Sequence, residues 1–184
     1  MPRISAIPHE IVTLSAAFLF IFMGAGAQQQ FLAPFFSEGT DWSPVARGLI
    51  PAAVYLSMTM SRVPAVWIVS KIGERPAMLL GGAAYVAFPL VVYFVPWYGM
   101  LVLGAMAWGI GAALMWVTSS IRVIDSVSAF HYGKTSGFFV GATHTGILFG
   151  YIILSRVADA ASLRTVFLVA SGISLVGWII MMTL

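Results

Sequence analysis

The sequence predicts an all-α integral membrane protein built from six transmembrane helices, and three observations support this fold class. Of its 184 residues, 60% are apolar and only 8% are charged, whereas a soluble domain carries about 25% charged residues. Six stretches approach the roughly 20 apolar residues that a helix needs to span a bilayer. The connections between them are short and rich in charged residues and helix breakers. A soluble fold would leave too much apolar surface in water, so a lipid bilayer is expected around the outer faces.

The six predicted spans form one membrane domain, and each is compatible with a helix. They cover, in order, residues 11–36, 48–72, 77–95, 99–121, 135–154 and 163–184. None of the connections is long enough for a soluble domain. The alternation of polar and apolar residues expected of a lipid-facing barrel strand is absent from the sequence.

The first predicted span also has some features of a secretion signal. Arg3 precedes an apolar run, and the small residues 25–27 before Gln28 imitate a cleavage site. Two features favour a span instead. Glu10 interrupts the region where a signal would be basic, and the apolar stretch resumes at Phe31.

The distribution of Lys and Arg predicts which side of the membrane the termini occupy. With the N-terminus inside, the cytoplasmic side holds five cations, namely Arg3, Lys71, Arg75, Arg122 and Lys134. The opposite side holds three, namely Arg47, Arg156 and Arg164. Cytoplasmic loops carry the excess of basic residues, and six is an even number of spans, so both termini are expected in the cytoplasm.

Several function classes lack support in the sequence. The nine Lys and Arg are scattered rather than clustered, so no basic patch for nucleic acid is expected. The chain has no Cys, no metal-ligand cluster, no paired carboxylates, no nucleotide-binding loop and no nucleophile motif. We therefore expect neither an enzyme nor a bound metal or cofactor.

A short internal sequence similarity suggests two inverted three-helix repeats. The small residues 24–27 in the first span resemble residues 109–112, which lie at a similar depth in the fourth. Inverted repeats are a common plan for transporters. With 18 glycines in the chain, coincidence is an equally good explanation.

A polar stripe in the second span contains Arg62, the only charged residue well inside a predicted span. Tyr55, Thr59 and Arg62 are spaced i, i+4, i+7 and share one helix face. A mid-span charge is costly and needs compensation, and no Asp or Glu lies mid-span. Compensation by an anionic solute or by a carboxylate outside the chain would make Arg62 functional. An Arg that snorkels or bonds to carbonyls would instead be structural.

Other polar groups in the spans are further candidates for a binding cavity. Gln28, Gln29 and Gln30 sweep about 200° of a helix, so they cannot all face lipid. Gln28 and Gln29 are expected to line a polar cavity or to bond across helices. His144 is the one mid-span group that titrates near neutral pH, although a neutral, hydrogen-bonded role is the more common one. Trp116 is a candidate contact for the solute, with packing as its alternative.

Glycines in the fifth span predict close helix packing. Gly137, Gly141, Gly146 and Gly150 include two pairs at the small-xxx-small spacing that lets helix backbones approach each other in lipid. Simple packing explains them. A functional interpretation adds that such a helix can rock against its neighbour.

The connection between the second and third spans resembles the signature loop of the major facilitator superfamily, G-x-x-x-D-R-x-G-R-R/K. Lys71, Gly73 and Arg75 match this pattern, whereas Ser70 stands in place of its acidic residue. The resemblance implies that the loop gates the cytoplasmic side. The loss of the acidic residue removes one partner of the charge pairs that normally do so.

The fifth span partly resembles the antiporter motif of the same superfamily, G-x8-G-x3-G-P. Gly137, Gly146 and Gly150 fit its spacing, but Tyr151 stands where the motif has Pro. The Arg that many proton-coupled members carry in the fourth span is absent from residues 99–109. These departures argue against antiport and against proton coupling.

Within the superfamily, the chain resembles the "uncoordinated" ion-channel regulatory branch. The similarity lies in residues 109–112 followed by Trp116, in residues 133–138, and in the loop of residues 71–73 before a glycine-rich helix. This branch implies either a solute carrier or a channel-associated regulator.

The resemblance covers about half of a twelve-helix member. We therefore expect one half of a major-facilitator-type fold that transports a small solute by alternating access. Its partner would be a second six-helix half, either a missing C-terminal half or a second copy in a homodimer. Two alternatives remain, a membrane regulator that transports nothing and a structural subunit of a larger membrane complex.

Overall fold

The computed structural model describes residues 7–95 and 97–184, so the predictions that involve Arg3 lie outside the described residues. The described chain is helical apart from short connections. Its helices are α1 (His9–Ile21), α2 (Gln29–Gly39), α3 (Pro44–Met60), α4 (Arg62–Ile72), α5 (Glu74–Phe94), α6 (Tyr98–Asp125), α7 (Tyr132–Ala160) and α8 (Leu163–Met181). A π-helical turn, Phe22–Gly26, continues α1 toward α2.

These helices form the six predicted transmembrane spans. Five segments are long and apolar enough to cross a bilayer, namely His9–Gly39, Glu74–Phe94, Tyr98–Asp125, Tyr132–Ala160 and Leu163–Met181. The sixth span is the bent pair α3 and α4. The fold class is confirmed. The stretch that imitates a secretion signal is part of the first span, and α1 buries Leu14, Phe18 and Ile21 in the core.

The second span is not the continuous helix that residues 48–72 were expected to form. It bends by 59° between α3 and α4. The cause is Pro64, which has no N–H to donate to the Met60 carbonyl and whose ring clashes with that carbonyl. The ladder resumes on either side, since Ser61 donates to Ser57 at 2.9 Å and Ala65 donates to Ser61 at 2.8 Å. The bend places Arg62 at the start of a new helix.

The helix contacts follow the pattern of two repeats. The first span packs against α7 and α8, as the fourth packs against α3 and α5, and α5 packs against α8. Exchanging the first three spans with the last three leaves this pattern of neighbours unchanged. The contacts therefore agree with two three-helix repeats.

Close approaches by glycine hold the repeats together, although not in the register of the internal sequence similarity. A Cβ at Gly24 would overlap the Ala170 carbonyl of α8, and a Cβ at Gly111 would overlap α5 near Gly81. Gly109, which aligns with Gly24 in sequence, instead approaches α3. By its contacts Gly24 is therefore equivalent to Gly111. The sequence match pairs Gly24 with Gly109 instead, so the two registers differ by two residues.

The glycines of α7 divide into two groups. A Cβ at Gly146 would overlap the carbonyl of Leu19, and one at Gly150 would overlap that of Met23, so these two glycines pack on the first span. Apart from the adjacent residues and backbone of α7 itself, no heavy atom of the described chain lies within 4 Å of a Cβ built at Gly137 or Gly141. The expectation that Gly137 and Gly141 pack within this bundle is wrong, because they lie on the exposed face of α7.

Candidate functional site

A concave pocket of about 390 Å³ lies where five of the six spans meet. Its lining residues are Phe22, Gly26, Gln29, Tyr55, Met58, Arg62, Tyr85, Trp116 and Ile147. We call this the central pocket. Four of the predicted binding residues, from three different spans, thus converge on it: Gln29, Tyr55, Arg62 and Trp116. Such concave sites, apolar with a few polar groups, are the usual form of solute sites.

One hydrogen bond connects two polar side chains that line the central pocket. The Tyr55 hydroxyl of α3 donates to Oε1 of Gln29 on α2 at 2.8 Å. This bond occupies the amide oxygen and leaves the amide nitrogen of Gln29 as a donor. Gln29 therefore presents donor character to the pocket, as the guanidinium of Arg62 does.

Arg62 is exposed at the first residue of α4, immediately after the bend. It also lines a second pocket of about 420 Å³, with Val66, Trp116 and Ser120 among its neighbours. Arg122 pairs with Glu10 and Glu74, whereas Arg62 has no ion pair among the described residues. The positive end of the α4 dipole lies at the same place, so backbone and side chain both make it attractive to anions.

A cluster of packed aromatic rings forms one side of the central pocket. Phe22 stands 5.5 Å from Trp116 and 5.4 Å from Tyr85, measured between ring centroids. Phe18 packs against this group, with its ring centroid 5.6 Å from that of Trp116. Edge and tilted contacts of this kind stabilise aromatic clusters beyond simple burial. Trp116 thus packs on the core and borders the pocket at once.

Three predicted binding residues do not line the central pocket. Gln28 is completely buried, and neither polar atom of its side chain has a hydrogen-bond partner among the described residues. One residue corresponds to about 100° of helix, so Gln28 turns inward where Gln29 faces the pocket. His144 is exposed and its Nδ1 lies 2.9 Å from the Val140 carbonyl of its own helix. Thr59 is exposed on α3 outside the lining residues.

Sequence reasoning missed the other half of the lining. Phe22, Met58, Tyr85 and Ile147 border the central pocket without any polar signal to mark them. Gly26 belongs to the small-residue stretch that the sequence did single out. Apolar residues of this kind are recognisable only after the spans have been packed together.

Comparisons with known proteins decide the family. A sequence model described as Major Facilitator Superfamily matches residues 14–184, which is nearly the whole chain. The chain belongs to the major facilitator superfamily. No curated protein matches it. The superfamily membership gives no support to the "uncoordinated" branch that the sequence resembles.

A solved member of the superfamily has a similar fold. It is the nucleoside transporter NupG, in a variant form, with a TM-score of 0.71 and 20% sequence identity. The alignment covers 95% of this chain and 47% of NupG, so the chain spans about half the length of that transporter. At this identity the likeness establishes the fold alone.

The loop that resembles the superfamily's signature forms the tight connection between α4 and α5. Gly73 has a φ of +86°, the only positive φ in the described ranges, and this explains why the turn uses glycine. Lys71 lies in the last turn of α4, where a cation offsets the helix dipole. Arg75 donates from Nη2 to the carbonyl oxygen of Met182 at 2.7 Å. The loop is thereby attached to the end of the sixth span.

A charge cluster lies at the same end of the bundle as this loop. Arg122, in the last turn of α6, lies 2.5 Å from Glu10 and 3.4 Å from Glu74, measured between side-chain atoms. These contacts join the ends of the first, third and fourth spans. Arg122 is therefore largely buried between these helix ends.

Proposed function

We propose that this chain is one six-helix half of a transporter that moves a small anionic solute across a membrane by alternating access. The second half is another six-helix bundle, in the same polypeptide or in a second copy of the chain. The central pocket forms this half's share of the solute site. The observation that carries the proposal is the convergence of Gln29, Tyr55, Arg62 and Trp116 on that pocket.

The polarity of the pocket supports an anionic solute. Arg62 supplies only hydrogen-bond donors, and Gln29 has its oxygen occupied by Tyr55. The α4 N-terminus adds partial positive charge at the same place. An acceptor-rich anion satisfies these donors better than a cation does, because no carboxylate lines the pocket.

The open side of the pocket supports a second half. Exposed apolar side chains lie on the helices that flank it, including Leu56 and Val63 on the second span and Leu148 on the fifth. In transporters of inverted-repeat design the solute lies near the midplane between mobile units. A second bundle against this face closes the site from one side at a time, which is the geometric requirement of alternating access.

The polar lining also favours transport over the two alternative functions. A regulator that transports nothing would need no polar cavity, and a dry pocket filled by Phe, Trp and Met would favour it. Here Gln29, Tyr55 and Arg62 share the pocket with Phe22, Met58 and Trp116. A purely structural subunit does not require an Arg to line a cavity together with Gln29 and Tyr55.

The test is ligand-induced thermal stabilisation of the full-length protein, followed by uptake in vesicles. The panel contains small carboxylates, inorganic phosphate and nucleotides, with nucleosides as neutral comparators. One anion is expected to stabilise the parent protein, and Arg62→Gln is expected to weaken that binding by roughly tenfold or more, since a charge-assisted contact is lost. Arg62→Lys retains the charge without the bidentate geometry and should fall between them.

Arg156→Gln is the matched control, because it removes the same charge from an exposed position on α7. It should bind like the parent. If a well-folded Arg62→Gln protein keeps full stabilisation by the anion, Arg62 does not contact the solute. If only nucleosides bind, the solute is not anionic.

A further inference from the structure

The first span is interrupted in the middle, next to the central pocket. The Ala27 N–H bonds to the Phe22 carbonyl five residues earlier at 3.0 Å, which is π-helical. Just beyond, Gln30 donates to Ala27 at 3.3 Å and Phe31 donates to Gln28 at 2.8 Å, each three residues earlier. Between these bonds Gln28 donates to Gly24 at 3.1 Å, so the ladder departs from the α-helical pattern at Ala27, Gln30 and Phe31. Such interruptions have identifiable causes and are frequent at functional sites.

The cause is a hydroxyl from the sixth span. In an α-helix the Ala25 N–H would donate to the Ile21 carbonyl. Instead, Ala25 donates to Oγ of Ser174 at 2.8 Å, and the same hydroxyl donates to the Ile21 carbonyl at 3.2 Å. The Ser174 side chain therefore replaces one backbone bond of the first span with two of its own. It is completely buried, so water does not compete for these bonds.

Glycine makes this insertion possible. A Cβ at Gly24 would overlap both the Ala170 carbonyl and the Ser174 hydroxyl. Without a side chain at position 24, α8 approaches the first span closely enough for the hydroxyl to enter its ladder. The small-residue stretch of the first span therefore has a specific structural use.

The fourth span provides an internal comparison. It occupies the equivalent place in the second repeat, yet α6 continues unbroken through Tyr98–Asp125. Its equivalent glycine, Gly111, meets the methyl group of Ala84 rather than a hydroxyl. In the first repeat a hydroxyl enters the helix and the helix is broken. In the second repeat no hydroxyl takes the equivalent place and the helix is continuous.

We infer that Ser174 is a positioning residue, which holds the first span open at the π-turn and thereby sets the orientation of Gln29 in the central pocket. A π-turn contains one more residue than the α-helical turn it replaces. Closing it rotates everything beyond it by about 100°. That rotation would take Gln29 away from Tyr55, although Ser174 itself touches neither residue. The role in solute binding rests on the proposed function, whereas the role in helix geometry does not.

The experiment compares Ser174→Ala with Ser171→Ala in the full-length protein in lipid nanodiscs. Ser171 is the matched control, because it also lies buried on α8 and donates across helices, to the Val86 carbonyl of α5 at 2.9 Å. Since this chain has no cysteine, spin labels are attached at Gln30→Cys and Leu49→Cys, which are exposed on α2 and α3. The label-to-label distance and the hydrogen exchange of residues 25–31 are measured without any solute.

In Ser174→Ala, the direct bond from Ala25 to Ile21 should form. The label distance should shift, and the pattern of amide exchange at residues 25–28 should change, because the N–H groups of this turn exchange their present partners for those of a continuous α-helix. Ser171→Ala should change neither quantity. Ser174→Cys keeps the side-chain size but bonds weakly. It is measured by hydrogen exchange in the protein without label sites, and it should reproduce the changed exchange if Ser174→Ala fails to fold.

Unchanged distance and exchange in a folded Ser174 variant would overturn the inference. Faster exchange with an unchanged distance would also overturn it, because the hydroxyl would then only satisfy a backbone amide. A shifted helix in a protein whose Arg62 variant binds anions normally would retain Ser174 as a positioning residue and reject the proposed anion site.

Discussion

The hydroxyl of Tyr55 on the second span donates a 2.8 Å hydrogen bond to the amide oxygen of Gln29 on the first. The two residues are 26 positions apart in the chain, and the bond connects the half-helices on either side of the central pocket. It fixes the side-chain amide so that its nitrogen remains the free donor. The donor-rich character of the pocket depends on this contact.

Replacing Tyr55 by Phe tests that dependence. The variant loses one hydroxyl and keeps the ring, so Gln29 is free to turn its oxygen toward the solute. We expect affinity for a stabilising anion to fall by roughly threefold to tenfold, the usual effect of one lost hydrogen bond. The measurement is anion-induced thermal stabilisation. Tyr151→Phe is the control, since Tyr151 lies outside the pocket against Phe31, and equal losses in both variants would contradict the prediction.

Gly146 should be far less tolerant of substitution than Gly141. A methyl group at position 146 meets the Leu19 backbone, whereas one at position 141 meets open space. We expect Gly146→Ala to destabilise the bundle by about 1–3 kcal/mol through overpacking. Gly141→Ala should have little effect on this half. Thermal unfolding and folded yield in detergent measure the difference, and equal values would show that α7 does not pack closely on the first span.

The Arg122 cluster should contribute modestly to stability and in a salt-dependent manner. The Glu10 side chain is 49% exposed, so solvent screens much of the pair. A double-mutant cycle with Arg122→Gln and Glu10→Gln should give a coupling energy of about 0.5–1 kcal/mol, which decreases at high salt. The same cycle between Arg122 and Asp159 serves as the unpaired comparison. A coupling energy of zero at low salt would mean that the contact adds no stability.

The orientation of the bundle can be tested with single cysteines, because this chain contains none. Ser128 lies in the connection between α6 and α7, at the end of the bundle where Glu10 meets Arg122, and Ser37 lies near the end of α2. The basic bias places Ser128 in the cytoplasm. Ser128→Cys should react with an impermeant maleimide only from inside, and Ser37→Cys only from outside. The reverse pattern would invert the topology, and reaction of both from one side would contradict six spans.

Local sequence patterns alone determined the membrane class, the six spans and part of the site. A transmembrane helix forms wherever enough consecutive apolar residues occur, because lipid leaves the backbone no other way to satisfy its hydrogen bonds. The i, i+4, i+7 stripe placed Tyr55 near Arg62, since helical periodicity is a local property. The bend was not readable from Pro64 alone, because Pro34, Pro51 and Pro89 lie inside helices that continue past them.

Only the tertiary structure decided which of these residues meet. Four glycines of the fifth span have the same sequence signature, yet Gly146 and Gly150 touch the first span while Gly137 and Gly141 do not. The selection depends on how each helix is rotated about its axis, which is set by packing against residues far away in the chain. Ser174 reaches Ala25 across 149 positions, and Arg122 reaches Glu10 across 112. Contacts of this kind leave no periodic trace in sequence, because they depend on the relative placement of two helices rather than on either helix alone.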